Sequence, residues 1–452
     1  MARGWLGTAR VVAASVVALC CEACSGEGAD TVAPPPDAGS GGQGGAPCPG
    51  SVETWSTVLG GTASALQAIT QTADDGTVVA GYLGAAWLVK LDAHGQLVWQ
   101  KLYGEGAARD YPIYSVRATG TGGIVVAGTT MPTGGGLSAA FLAELDVNGD
   151  FVWQQAYDFG GTGANEGRAV GVALDGGMFA AGALSSGFYQ TWVMKLDATG
   201  AMQWAKTLGA YPDQITPSAI EPTSDGGCVL TGTYQPAIDT HPAWVVKLAA
   251  DGAVQWQRRY GGGGGSIWPL GDGSTLMGGD DAWLAKLDSS GQVAWQRKLA
   301  GAAATDGGTA DQYQVKGLRP RSAGGYVAAG MVGRATDSAA WLAVLDETGA
   351  IIEQRAYGGG ALSGMLYALT ATRDCGYALA AFLATEGAWV AKVDTSGDLA
   401  GCSLLGAIDI PAESPDDAAM DVTLDVADAT VQASAEAATA TPGSAVVSTG
   451  CP

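Results

Sequence analysis

The sequence predicts an all-β chain, a seven-bladed β-propeller of four-stranded antiparallel blades, and three observations predict it. The first is a repeat. The stretch "AWLVKLDAHGQLVWQKLYG" from Ala86 returns as "AFLAELDVNGDFVWQQAYD" from Ala140, "TWVMKLDATGAMQWAKTLG" from Thr191 and "AWVVKLAADGAVQWQRRYG" from Ala243, then from Ala282, Ala340 and Ala388. Trp87 and its equivalents fall at 87, 141, 192, 244, 283, 341 and 389. Short-strand units repeating every 50 residues or so mark a propeller or a similar array. The second observation is that each unit holds four strand-like runs, A to D, as in "LQAITQT", "GTVVAG", "AAWLVKLD" and "QLVWQKLYG". The third is that run C is apolar on both faces: Trp87, Val89 and Leu91 point one way, Ala86 and Leu88 the other. A sheet covered by a neighbour on each side needs that pattern.

Taken in chain order, residues 1–24 read as an export signal, with Arg3 and Arg10 ahead of an apolar run from Val11 to Cys21 that is too short to span a bilayer. The cluster Cys20, Cys21, Cys24 resembles a bacterial lipobox; Ala23 favours acylation of Cys24, with Cys20 and Cys21 as alternatives. Residues 25–50 are Pro, Gly and Ser with little to bury, a flexible tether. Residues 51–406 carry the propeller and 407–452 an acidic low-complexity tail, whose simplest reading is a disordered or loosely docked segment.

Within the repeats, run B has Gly at both ends in six units, from Gly76 and Gly81 to Gly325 and Gly330, which suits close backbone approach near an axis. The C to D link is Asp, two residues, Gly (Asp92 to Gly95), a type I turn closing through a left-handed residue and a bulge. Run D carries Trp99, Trp153, Trp204, Trp256 and Trp295 at one position. An extra D-like run, "ETWSTVLGG", precedes the first unit, so residues 53–61 are expected to close the blade made by 366–394 and leave 398–406 peripheral; the alternative has 398–406 close its own blade.

The run Asp-x-x-Gly-x-x-x-Trp resembles the tryptophan-docking repeat of PQQ-type propellers, with one residue fewer between Asp and Gly. The whole unit is more similar to bacterial propeller-repeat lipoproteins whose units read GGYVVAG, AWLVKLD and GxVxWQKxYGG. The resemblance covers residues 53–406 and implies architecture, not activity. The adjacent cysteines that quinoprotein dehydrogenases often place near their cofactor have no counterpart in the repeats, because the pair Cys20 and Cys21 belongs to the signal. No cofactor is therefore expected.

Acidic residues outnumber basic ones by 44 to 22, for a net charge of -22. Such a surface repels phosphate backbones and anionic lipid heads, which argues against nucleic acid and limits membrane contact to the N-terminal lipid. In an exported chain the cysteines are free to pair: Cys402 with Cys451 is the expected bridge and Cys48 with Cys402 its rival, while Cys228 and Cys375 read as buried strand thiols. With two His, His94 and His241, a multi-His metal site is excluded and no metal is expected. The spacing of "DVNGD" (Asp146, Asn148, Asp150) is that of a calcium loop but lies where six other units carry a plain hairpin. "YGGGGGS" from Tyr260 reads as a slack link.

Up-and-down strands put the short A to B and C to D turns on one face and the variable B to C and D to A loops on the other. A ligand is expected on the variable face, where Arg109, Asp110, Tyr111, Tyr189, Tyr211, Tyr234, His241, Trp268, Asp280, Asp281 and Arg334 offer stacking and hydrogen-bonding groups. The expected protein is a monomeric, lipid-anchored envelope module, at the outer membrane or cell surface, that binds or scaffolds protein or glycan without catalysis. The alternative is an envelope hydrolase or lyase with carboxylates at the channel mouth.

Overall fold

The computed structural model describes Cys48, residues 51–400 and seven short strands between Leu405 and Thr449. Within 51–400 the segments 61–64, 105–108, 111, 133–135, 161–162, 186, 188, 210–213, 236–241, 281–282, 300–311, 334–337, 359–362 and 385 lie outside the description. Seven antiparallel sheets form a seven-bladed propeller, each blade ordered A, B, C, D from the axis outward. The A strands are Ala65–Gln71, Ile113–Ala118, Asn165–Val172, Gln214–Pro222, Ser266–Pro269, Gln312–Pro320 and Gly364–Ala371, in blades 1 to 7.

Packing follows the two-faced pattern of run C. Trp87, Trp192, Trp244, Trp341 and Trp389 are fully buried, each in a core shared with a neighbouring blade. Three D-strand Trp residues hydrogen-bond the next blade's C to D turn: Trp99 Nε1 donates to Val147 O at 3.0 Å, Trp204 to Ala250 O at 2.9 Å and Trp256 to Ser289 O at 3.0 Å, whereas Trp153 Nε1 donates to Glu144 Oε2 at 2.9 Å. Tyr103, Tyr260 and Tyr357 donate to the glycine carbonyls of the same turns, Gly149, Gly291 and Gly397, at 2.8, 2.6 and 2.6 Å. Each turn closes through a left-handed glycine, Gly95 having φ +77, and the ladder slips between Lys90 and Leu91 just beside it.

Closure falls on blade 7. Trp55–Val58 pairs with Gly387–Val393 as that blade's D strand, and Trp55 Nε1 donates to Ala93 O of blade 1 at 2.8 Å, the same docking that Trp99, Trp204 and Trp256 make on their next blades. Of the run 398–406, Leu405–Gly406 lies outside blade 6, as a peripheral course predicts, while Leu399 is buried in the core that blades 6 and 7 share.

The cysteines need correction. Cys48 is bonded to Cys375, so Cys48 does not pair with Cys402 and Cys375 is not a free strand thiol. Cys375 has φ +71 and holds the left-handed corner of the A to B turn, where other blades use Gly122, Gly176 and Gly226; a corner side chain points outward, within reach of the segment leading to the closing strand. Cys228 is the buried free thiol expected. Cys24, Cys402 and Cys451, and with them the expected bridge, lie outside the described residues.

The tail adds an element that composition hides. Its seven strands, Leu405–Gly406, Ala412–Glu413, Met420–Asp421, Val426–Asp428, Gln432–Ala435, Thr439–Pro442 and Ser448–Thr449, pair with the D strands of blades 6, 5, 4, 3, 2, 1 and 7 in turn. The chain thus winds back around the rim and gives every blade a fifth strand. The glycine run before blade 5 is also packed rather than slack: a Cβ on Gly262 would lie 2.5 Å from Trp283 Cβ, and one on Gly264 2.5 Å from Thr231 Oγ1.

Candidate functional site: the axial channel

The A strands run from the variable-loop face to the short-turn face, and six of them are bulged midway. The A to B register slips between Leu66 and Ala68, Ile113 and Ser115, Gly167 and Ala169, Pro217 and Ala219, Val315 and Gly317, and Leu366 and Ala368. A bulge inserts one residue without a ladder partner and re-aims its side chain. The inserted residues are Gln67, Tyr114, Arg168, Ser218, Lys316 and Tyr367. Neighbouring blades cover both faces of an A strand and strand B covers its outer edge, so solvent reaches a mid-strand side chain only from the axis. All six are solvent-accessible, Tyr114 at 36% and the Arg168 side chain at 38%, and they therefore line the channel.

This geometry explains the second B-strand glycine. A Cβ on Gly182, Gly232 or Gly330 would run into the carbonyl oxygen of Glu166, Thr216 or Gln314, the residues that enter the bulges opposite. The blade 5 ladder shows no register slip; its short A strand follows Gly265, which brings no side chain to the ring.

Three residues further along each A strand, roughly 10 Å deeper at about 3.3 Å per residue, stand Thr70, Arg117, Gly171, Glu221, Arg319 and Thr370, with Trp268 from blade 5. Arg117 Nη2 donates to Glu221 Oε1 at 2.6 Å, joining blade 2 to blade 4 across blade 3, which has only Gly171 at that level. The Arg319 guanidinium lies 4.1 Å from the centroid of Trp268. Glu221, Trp268 and Arg319 are buried, so this ring is a floor, and the space lined by the bulged residues, on its variable-loop side, is a vestibule.

Arg168 binds Glu166 Oε2 at 2.6 Å and its guanidinium sits 6.0 Å from the Tyr114 ring centroid. Partial burial holds the Tyr367 phenol above its usual pKa, so it stays a protonated donor. Wall and floor together present four cationic side chains, Arg117, Arg168, Arg319 and Lys316, against two carboxylates, Glu166 and Glu221. Each of those carboxylates is bound to a guanidinium.

The rim candidates fare differently. Tyr189 is on the variable face and 39% exposed, and Asp280 is exposed beside Gly263. Tyr234 and Trp268 are buried, at 5% and 3%, each with a guanidinium over its ring, Arg259 and Arg319 respectively; neither offers a face to a ligand, because strands B and A continue past the expected loop boundary. Arg109 and Asp110 form a short strand against Met131 and Pro132. Tyr111, Tyr211, His241, Asp281 and Arg334 lie outside the described residues. Asp146 is a turn former: its Oδ1 accepts from Asn148 N at 2.8 Å and Asp150 N at 2.9 Å.

Sequence reasoning passed over the lining residues although a signal exists. Each stands two positions before an aliphatic residue with a small residue between: Gln-Ala-Ile, Tyr-Ser-Val, Arg-Ala-Val, Ser-Ala-Ile, Lys-Gly-Leu and Tyr-Ala-Leu. That column varies in chemistry while its neighbours do not.

The chain is similar in structure to a protein of unknown function from Bacteroides caccae, at 15% identity and a TM-score of 0.40, covering 67% of this chain and 93% of the other. It is also similar to quinohemoprotein alcohol dehydrogenase from Comamonas testosteroni, at 14% identity and a TM-score of 0.29, covering 53% and 43%. No protein-family model and no curated protein matches the sequence.

Proposed function

We propose that this protein is a cell-envelope binding module, exported and held by a lipid on Cys24, that takes protein or glycan ligands at the variable-loop face with the axial vestibule as its centre. The observation that carries the reading is the bulged ring: a scaffold otherwise regular from blade to blade presents chemically different side chains at one repeated, solvent-facing position. Aromatic, amide, hydroxyl and cationic groups converging on a closed-ended cleft are the equipment of a recognition site. Binding is favoured over hydrolysis because Glu166 and Glu221, the two carboxylates of wall and floor, are committed to Arg168 and Arg117 and do not form a free acid and base pair.

The test is a glycan array and an envelope-extract capture with the full chain, run beside a Tyr114→Ala, Tyr367→Ala double variant. Retention by the wild type and loss by the variant supports the reading. No retention in either assay, together with measurable glycoside cleavage, would replace it with the hydrolase.

A further inference from the structure

We infer that the vestibule recognises a carboxylated sugar residue presented at the end of a chain. This rests on the binding reading above and names its ligand class. On one side Tyr114 of blade 2 has the Arg168 guanidinium of blade 3 at 6.0 Å from its ring centroid; on the other, Lys316 and Tyr367 hold the equivalent bulge positions of the adjacent blades 6 and 7. Gln67 of blade 1 and Ser218 of blade 4 fill the intervals. Tyrosine rings offer an apolar face and a polar tip, which suits a pyranose with its C–H face and hydroxyl rim. Lys316 supplies a point counter-charge for a carboxylate, while Arg168 already gives its Nε and Nη2 donors to Glu166 Oε2 and holds the Tyr114 side of the wall.

Charge at long range selects the end-on mode. The chain as a whole carries -22, so an extended polyanion laid across the rim is repelled. The positive lining acts only at short range, because a Debye length at physiological salt is about 8 Å. The floor formed by Arg117, Glu221 and Trp268 stops passage, so one terminal residue enters and the rest of the chain stays outside.

Calorimetry of the full chain with trigalacturonate and with its methyl ester tests this. The acid is expected to bind at least tenfold more tightly than the ester, more weakly as salt rises, and at least tenfold more weakly to Lys316→Gln and to Tyr367→Ala. An unchanged melting temperature in these variants excludes misfolding as the cause; if either variant fails to fold, Ser218→Trp, which narrows the vestibule, replaces it and is expected to abolish binding. Equal binding of acid and ester overturns the carboxylate inference and leaves the binding module standing, as does trigalacturonate binding that none of the variants changes. Absence of binding to trigalacturonate while other array glycans bind overturns the inference alone; absence on the whole array and in envelope capture removes both.

Discussion

At the residue scale, charged side chains serve mostly as struts for turns. Lysines of strand C, written in the repeat as "VKLD", reach under the sheet to the A to B turn: Lys90 to Asp74 at 2.6 Å, Lys195 to Asp175 at 3.0 Å, Lys247 to Asp225 at 2.8 Å and Lys392 to Asp374 at 2.6 Å. Burial opposes ionisation of Asp225, but Lys247, Thr223 Oγ1 and Gly227 N outweigh it and hold the carboxyl at about 2. A carboxyl depressed in the folded state stabilises above its unfolded pKa of about 3.9, and that contribution is lost as pH falls toward 2. Asp225→Asn is therefore expected to narrow the stability difference between pH 5 and pH 2.5 in urea titrations; an unchanged difference would contradict the assignment. His94 behaves oppositely. Its Nδ1 lies 2.8 Å from Glu53 Oε1, and that hydrogen bond and charge raise its pKa above 6.5. The contact contributes fully below that value and is lost as pH rises through the raised one. Proton NMR should find the His94 midpoint above 6.5 and see it fall in Glu53→Gln; no movement would remove the pair from the account.

At the element scale, the bulge in strand A and the glycine opposite it in strand B form one unit. Gly330→Ala drives a methyl into Gln314 O and is expected to cost about 2–4 kcal/mol. Gly120→Ala, in an open turn with nothing within 4 Å, is expected to stay within about 0.5 kcal/mol. Chemical denaturation separates the two, and equal effects would show that the bulge is not enforced. The paired glycines were legible in the sequence, and so was close approach as their reason. The bulge was not, because one inserted residue does not disturb the apolar spacing of a six- to nine-residue run, and its trace is confined to the chemically varied column ahead of each small-aliphatic pair. Cys375 misled for a related reason: a left-handed corner usually filled by Gly looks like a strand end when a larger residue occupies it.

At the scale of the whole molecule, the ring is closed three times over, by Trp55–Val58 in blade 7, by the Cys48 to Cys375 bridge beside it and by the tail strands around the rim. Blade number and the closing strand were readable because Trp, Gly and Asp recur in register. The tail was not, because edge pairing uses backbone groups and needs no bulky side chains. Exposed sheet edges invite association, so ending the chain at residue 404 bares seven of them. Light scattering after size exclusion should show aggregates and a lowered melting temperature for that truncation; a monodisperse product with the parent melting temperature would mean the belt is dispensable.

The recognition site is likewise a property of the whole ring, because its bulged residues come one each from six blades. Ser218→Cys in the full chain, labelled with a bulky maleimide, places a plug on the axis; Tyr189→Cys, labelled alike, places one on the rim. Cys228 is buried and Cys48 is bonded to Cys375, so neither takes the label, and the remaining native cysteines are changed to Ser in both variants. Binding of envelope glycans is expected to be lost with the axial plug and kept with the rim plug. Loss with the rim plug and full binding with the axial one would contradict the account.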